Sequence, residues 1–169
     1  MGHLTAHPIC PALKVIPALA LGILFLSMDH YAGEAPSAPP LEDQPCAVGS
    51  LRTINTAEVT YSTEYGKGFS PTLAAMRTPP EGAELSPEAA GVIDDHLADG
   101  RKCNFIFRYK AGAKGKEGKI NTYTVTARPV TWGKGKKSFF TDQTEVIRWT
   151  DQNRVPKAFD PALKMPYGR

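Results

Sequence analysis

Residues 47–65 read AVGSLRTINTAEVTYSTEY, the longest amphipathic stretch of the chain. Its apolar side chains recur at steps of three or four, as in a helix with one buried face. They are Val48, Leu51, Ile54, Ala57, Tyr61 and Tyr65. Gly66 and Gly68 follow, and glycines are typical of helix C-termini. The stretch predicts a helix of about 20 residues, about 30 Å long, whose apolar stripe needs a second layer to pack on.

That second layer is predicted from alternating side chains in the C-terminal half. Segments 102–109 and 120–130 alternate between apolar and polar residues, which indicates antiparallel strands with one buried face each. Two shorter strands, 138–141 and 146–149, are joined by a polar turn. The predicted fold class is α+β, with a long N-terminal helix packed on a three- to four-stranded antiparallel sheet.

The segment between the first helix and the sheet carries helix and loop signals in succession. Residues 69–85 are rich in Pro and Gly and are interpreted as an irregular loop. Ser86 and Pro87 are typical of a helix start, as N-cap and first helical residue. A short helix is therefore predicted from there to Gly100.

The first 33 residues are interpreted as a signal peptide or a signal anchor. The uncharged run 15–28, VIPALALGILFLSM, follows Lys14 and precedes Asp29, which places the N-terminus in the cytoplasm and the rest of the chain outside. That run spans about 21 Å as a helix, less than the roughly 30 Å hydrocarbon core. A cleaved leader and an uncleaved anchor both remain open. The predicted location is the cell envelope, anchored in the inner membrane, or the periplasm or exterior after cleavage.

Three further segments complete the predicted organisation. Residues 34–45 form a Pro-rich linker. Residues 46–150 form the α+β domain, and 151–169 form an irregular tail that is either disordered or laid over the domain. The net charge of +3 is too small to demand a nucleic-acid or membrane partner by itself.

Several phrases of the domain resemble type IV pilins and pseudopilins. The strongest is GSLRTINTA at 49–57; weaker ones are GVID at 91–94, FIFRY at 105–109, YTVTA at 123–127 and FFTD at 139–142. The resemblance implies a long helix on an antiparallel sheet and a non-enzymatic function. It implies assembly with other pilin-like or envelope proteins, as in type IV pili or type II secretion.

The chain also departs from that family in two places. The family's processing signal, a glycine before a methylated Phe with Glu at the fifth mature position, is not found in this sequence. The α+β domain is therefore interpreted as a pilin-like domain that follows a general export signal. In addition, Glu145 stands where the family usually has Gly in its last turn. If φ is positive at that position, Glu costs about 1–2 kcal/mol.

The alternative function is an extracytoplasmic binding module for DNA or another anionic polymer. Its candidate contacts lie in two Lys- and Gly-rich loops, beside one aromatic residue. They are Lys114, Lys116, Lys134, Lys136, Lys137 and Trp132. In a meander these loops lie at opposite ends of one strand, about 30 Å apart. The competing interpretation is two solvated hairpin tips whose lysines discourage edge aggregation.

No catalytic, cofactor-binding or metal-binding residues are assigned. The run Asp94–Asp95–His96 does not converge, because neighbours on a helix point about 100° apart. Some pseudopilins hold calcium near their last strands, and oxygens of Asp142, Glu145 and Asp151 would suit it, but spacing alone does not show a site and an ordinary polar turn is the favoured interpretation. Two cysteines of an exported domain, Cys46 and Cys103, could form one disulfide or remain as thiols.

Overall fold

The computed structural model describes residues 43–164. Helix α1 spans Asp43–Tyr65, a 3₁₀ helix spans Leu73–Met76, and the one-turn helix α2 spans Asp95–Ala98. The predicted leader 1–33, most of the linker and the last five residues of the tail lie outside the described residues.

A five-stranded antiparallel sheet follows the helices. The strands pair in chain order, β1-β2-β3-β4-β5, and form a meander. Their bounds are β1 Arg101–Lys102, β2 Phe105–Ala111, β3 Tyr123–Pro129, β4 Ser138–Asp142 and β5 Arg148–Thr150.

The predicted fold class is wrong, since the described residues hold a helix of 23 residues and five strands in place of three to four. Segment 102–109 was predicted as one strand, but it contains a turn between β1 and β2. The two turn residues, Cys103 and Asn104, have φ of 55° and 56°. Two consecutive positive φ values are those of a type I′ hairpin turn. The alternation of apolar and polar residues continues through this turn, so the pattern does not reveal it.

The two ends of α1 differ in how well the sequence predicts them. The helix ends at Tyr65 and is followed by Gly66 with φ +62°, as predicted from the glycine. It begins at Asp43, so residues 43–45, predicted as the end of the linker, form its first turn. Pro45 is tolerated there because the first N–H groups of a helix have no intrahelical acceptor.

The core lies between α1 and one face of the sheet, here called the inner face. The helix contributes Ala47, Leu51, Ile54, Ala57 and Tyr61, each at most 3% exposed. The inner face contributes alternate strand residues, among them Phe105, Phe107, Val125, Ala127 and Phe139. Burying such side chains stabilises the fold by about 1.5–3 kcal/mol each.

The predicted helix from Ser86 to Gly100 is wrong for most of its length. Ser86 and Ala89 close a small turn by exchanging two backbone hydrogen bonds of 3.2 and 3.0 Å. Helix α2 starts later, where the Asp94 carboxylate accepts a hydrogen bond from the Leu97 amide at 3.1 Å. Asp94 therefore supplies the N-cap that was assigned to Ser86.

A buried carboxylate fastens the segment after α1 to the helix. Glu58 is fully buried and accepts two hydrogen bonds of 2.7 Å from Ser70, one from the amide and one from the hydroxyl. Tyr109 donates to the Ser70 carbonyl at 2.7 Å. Burial raises the pKa of Glu58 above its ordinary value, although the Ser70 hydrogen bonds oppose the rise. The buried carboxylate of Glu58 therefore fixes the segment around Ser70 to α1.

A second polar network joins α1 to the turn between β4 and β5. The Asn55 amide donates to the Thr141 hydroxyl at 3.1 Å and to the Glu145 carbonyl at 3.2 Å, and Tyr123 donates to Asn55 Oδ1 at 3.0 Å. Glu145 has φ of 62°, the positive value that a glycine would adopt without cost. The hydrogen bond from Asn55 to its carbonyl helps to hold Glu145 in this strained backbone conformation.

Residues 151–164, predicted as an irregular tail, are laid over the domain. Two backbone hydrogen bonds, from Trp149 to the Pro161 carbonyl and from Leu163 to the Ile147 carbonyl, cover the outer edge of β5. Asp160 is buried and accepts from the Lys157 amide at 2.7 Å and from the Arg154 guanidinium. Its own carbonyl accepts from Arg148 at 3.0 Å. This loop covers part of the outer face, the side of the sheet opposite α1.

Candidate interaction surfaces

The six side chains proposed to contact an anionic polymer do not share one surface. Lys114 and Lys116 are exposed in the loop between β2 and β3, and Lys134 is exposed in the loop between β3 and β4. In an antiparallel meander these two loops lie at opposite ends of β3. The two groups of lysines therefore face different ends of the sheet.

Two of the predicted lysine contacts are already occupied within the domain. Lys136 is buried, 7% exposed, and its ammonium group lies 3.7 Å from the Asp43 carboxylate. The ammonium group of Lys137 lies 4.1 Å from the centre of the Trp149 ring, a cation–π contact. Neither contact could be predicted from the residues around these lysines, because Asp43 and Trp149 are distant from them along the chain.

The start of α1 is fastened to the sheet by a disulfide and by polar contacts. Cys46 and Cys103 are joined in a disulfide with Cα atoms 5.9 Å apart. The Asn104 amide donates to Asp43 at 3.1 Å, and the Gln44 amide donates to the Gly135 carbonyl at 3.1 Å. The disulfide closes a loop of 57 residues and holds the first turn of α1 against the β1–β2 turn.

The side of α1 away from the sheet carries an uncharged surface, here called the threonine face. It consists of Thr53, Thr56, Val59, Thr60 and Thr63, all exposed. From 53 to 63 the one charged residue is Glu58, and its side chain is buried. An exposed helix face normally carries charged residues opposite its apolar stripe, so this composition is unusual.

The hydroxyl groups of the threonine face are turned back onto the helix. Thr53, Thr60 and Thr63 each donate to the carbonyl four residues earlier, at 3.2, 3.1 and 2.8 Å. Such bonds satisfy the hydroxyls inside the helix and reduce their capacity to bond water. Beside this face lies a shallow groove of about 420 Å³, whose lining includes Arg52 and Val92. The threonine face therefore presents small, internally satisfied side chains next to a concave surface.

A separate concavity, here called the arginine pocket, lies on the outer face of the sheet. Its volume is about 280 Å³, and its lining includes Arg108, Arg128, Trp132 and Asn153. Trp132 was predicted to act beside the lysines of the β3–β4 loop, whereas it lies with two arginines of β2 and β3. The pairing of β2 with β3 brings these arginines together, which residue spacing alone does not show.

A larger cleft of about 520 Å³ opens near the β2–β3 loop. Tyr61 and Phe69 line it together with Lys67, Lys114 and Glu88, and Tyr61 donates to the Pro87 carbonyl at 2.9 Å. Its size is within the range of ligand pockets. Between the lining residues Lys67 and Phe69, Gly68 allows the Ile120 backbone to approach closely, because a Cβ there would lie 2.2 Å from the Ile120 carbonyl oxygen.

Three of the acidic side chains weighed as metal or acid–base groups, Asp94, Asp95 and Asp142, have structural partners. Asp94 caps α2 and forms an ion pair with Lys102 at 2.7 Å, while Asp95 lies 4.0 Å from Arg77 and His96 is exposed. Asp142 accepts from the amide and hydroxyl of Thr144 at 2.9 and 2.6 Å. Within residues 43–164 no group of three or more His, Cys, Asp or Glu side chains could hold a metal ion.

Comparison with known proteins identifies no relative of this chain. No protein-family model, curated protein or solved structure matches it. Among the helices of residues 43–164, none combines the length and the apolar character needed to cross a membrane.

Proposed function

We propose that this protein is a non-enzymatic assembly protein of the bacterial cell envelope, related in function to type IV pilins and pseudopilins. Its domain acts outside the cytoplasm and binds another pilin-like or envelope protein through the threonine face of α1. The observation that carries the proposal is that this face runs from 53 to 63 without an exposed charge.

Helix packing supports the choice of this surface. Small side chains allow two helix backbones to approach closely, and helix interfaces use ridges that fit into grooves. The threonine face offers such side chains, a neighbouring groove of about 420 Å³ and Val59, which is 48% exposed. A second helix laid along the groove would bury this apolar area, and Arg52 at the start of the groove is the one charged residue of its lining.

The disulfide supports a role outside the cytoplasm. Structural disulfides persist in oxidising compartments such as the periplasm and the cell exterior. The bond between Cys46 and Cys103 also restrains the first turn of α1. Since the threonine face begins two turns later on the same helix, the bond presents that face on a rigid support.

Photo-cross-linking in the native cell tests the proposal. A photo-reactive amino acid is placed at Thr60 on the threonine face, and at Thr78, an exposed threonine of the loop after the 3₁₀ helix. We expect adducts with a pilin-like or envelope protein from position 60 and not from position 78. Equal yields of adduct at the two positions would refute the proposed surface.

A matched pair of charge substitutions complements the cross-linking. Thr60→Glu places a charge on the threonine face, and Thr78→Glu adds the same charge elsewhere. Both sites are exposed, so each variant is expected to change stability by no more than about 0.5 kcal/mol. We expect Thr60→Glu alone to abolish recovery of the partner after chemical cross-linking.

The anionic-polymer alternative receives less support from the contacts. Lys136 and Lys137 are engaged by Asp43 and Trp149, and the remaining lysines lie at two ends of the sheet. Filter binding across a range of salt concentrations still tests it. Binding to nucleic acid that weakens steeply with salt would restore the alternative.

A further inference from the structure

The arginine pocket lies on the face of the sheet that α1 does not cover. In β2 and β3 the inward residues Phe105, Phe107 and Ala127 belong to the core. Their neighbours Ile106, Arg108 and Arg128 line the pocket, because successive side chains of a strand point to opposite faces. An activity of this pocket is therefore separate from the protein contact proposed for the threonine face, and goes beyond it.

Strand register places two positive charges side by side in this pocket. Ile106 is paired with Arg128 and Arg108 with Thr126, so the two arginines are diagonal neighbours. Diagonal residues on one face lie about 7–8 Å apart, with their Cβ atoms somewhat closer. Within residues 43–164 neither Arg108 nor Arg128 forms an ion pair, and the pocket lining contains no acidic residue. The like charges repel each other with no internal counter-charge.

Arg128 is held in place with part of its hydrogen-bonding capacity unused. One terminal nitrogen of its guanidinium donates to Asn153 Oδ1 at 2.8 Å. Its Nε–H is buried and has no partner within the described residues. Asn153 is itself positioned by the loop that Arg154 and Asp160 lock together. The bond to Asn153 fixes the plane of this guanidinium, so that its other terminal N–H groups are prearranged for an oxyanion.

Trp132 adds an aromatic side chain to the lining of the pocket that holds the two arginines. The volume of about 280 Å³ suits one ring with its anionic substituent and is small for a polymer. We propose that the arginine pocket binds a small ligand in which a carboxylate or a phosphate is attached to a flat ring. Arg108 and Arg128 pair with the oxyanion, and Trp132 contacts the ring.

Tryptophan fluorescence of the full-length protein tests this assignment. The chain has two tryptophans, so Trp149→Phe leaves Trp132 as the reporter. Benzoate and phenylphosphate serve as the carboxylate and phosphate probes, and benzyl alcohol serves as the uncharged ring. We expect saturable quenching by at least one anion and none by the alcohol. If Trp149→Phe does not fold, calorimetric titration of the wild-type protein with the same probes replaces the fluorescence.

Two charge-matched variants separate the pocket from general attraction of anions. Arg108→Gln removes one charge from the pocket, and Lys116→Gln removes one from the exposed β2–β3 loop. We expect Arg108→Gln to weaken binding by about tenfold and Lys116→Gln to weaken it by less than about twofold. Equal losses in the two variants, quenching by benzyl alcohol at the same concentrations, or no saturable response to either anion would overturn the assignment.

Discussion

The two faces of the sheet are covered by different means. On the inner face, α1 packs on Phe105, Val125 and Phe139, each at most 2% exposed. On the outer face, loop 151–160 is held by hydrogen bonds that converge on Asp160. The stabilisation of the inner face comes from apolar contacts of many side chains, which do not depend on exact geometry. The loop on the outer face depends on hydrogen bonds to one carboxylate, that of Asp160. The inner face should therefore lose its hold on α1 when a charge is forced into it, and the outer cover should open when that one carboxylate is changed.

The largest effect is expected where a charge is forced into the inner face. Ile54→Asp places a carboxylate without a partner in the core, and we expect the cooperative unfolding transition to disappear. Thr53→Asp, at the exposed neighbouring position, should change the free energy of unfolding by no more than about 0.5 kcal/mol. Thermal denaturation followed by circular dichroism compares them. An intact transition in Ile54→Asp would show that the inner face does not hold the fold.

The disulfide is expected to give the next largest effect, because it fixes α1 over the inner face. Its cysteines are 57 residues apart, and a loop of that length predicts a loss of about 4 kcal/mol on removal. The variant is Cys46→Ser with Cys103→Ser, and Cys10→Ser is the control. Urea unfolding without reductant measures both. A loss no larger than that of the control would mean that packing alone fixes the helix.

The outer face is expected to open when Asp160 loses its charge. Asp160→Asn weakens the bonds from Arg154 and Lys157, and we expect a loss of about 2 kcal/mol. Trypsin should then cut faster after Arg154 and Lys157, while the core stays folded. The exposed residue Asp151 provides the control, Asp151→Asn. Equal cleavage of the two variants would contradict the claim that Asp160 holds loop 151–160 in place.

The smallest effect concerns the buried acid near the inner face. Burial raises the pKa of Glu58 above 4.5, so the folded state binds this proton more tightly than the unfolded chain. The stability that this adds is present below pH 4.5 and is lost as the pH rises through the raised pKa. We expect Glu58→Gln to gain in unfolding free energy relative to the wild type between pH 4.5 and 7.5. If the difference in unfolding free energy between Glu58→Gln and the wild type stayed constant over that pH range, the raised pKa of Glu58 would be contradicted.

The sequence predicts elements whose evidence is local and periodic. The apolar side of α1 is predicted from apolar residues that recur every three or four positions. The inner face of β3 is predicted from the alternation of apolar and polar residues. The turn at Cys103 was missed because the same alternation continues across it. The N-cap was assigned to Ser86 because Ser–Pro is a strong local signal, yet Asp94 fills that position.

Features that depend on distant partners were not predictable in this way. Lys136 is buried because Asp43 lies beside it, although the two are far apart in the chain. Arg108 and Arg128 become neighbours through the register of β2 and β3, which no pattern within either strand specifies. The covering loop depends on Arg154 and Asp160, a polar pair without periodicity. The membership in the pilin family that the sequence phrases suggest stays a prediction.

The segment that pairs with β5 also limits how copies of this domain can join. Residues 161–163 occupy the backbone groups on that side of the sheet. At the opposite side, β1 is short, and Tyr109 and Ala111 of β2 have no strand partner there within the described residues. Strand-to-strand addition between copies would therefore have to use the border of β2. Covering one sheet edge in this way is a means by which folds resist the open-ended stacking that leads to amyloid.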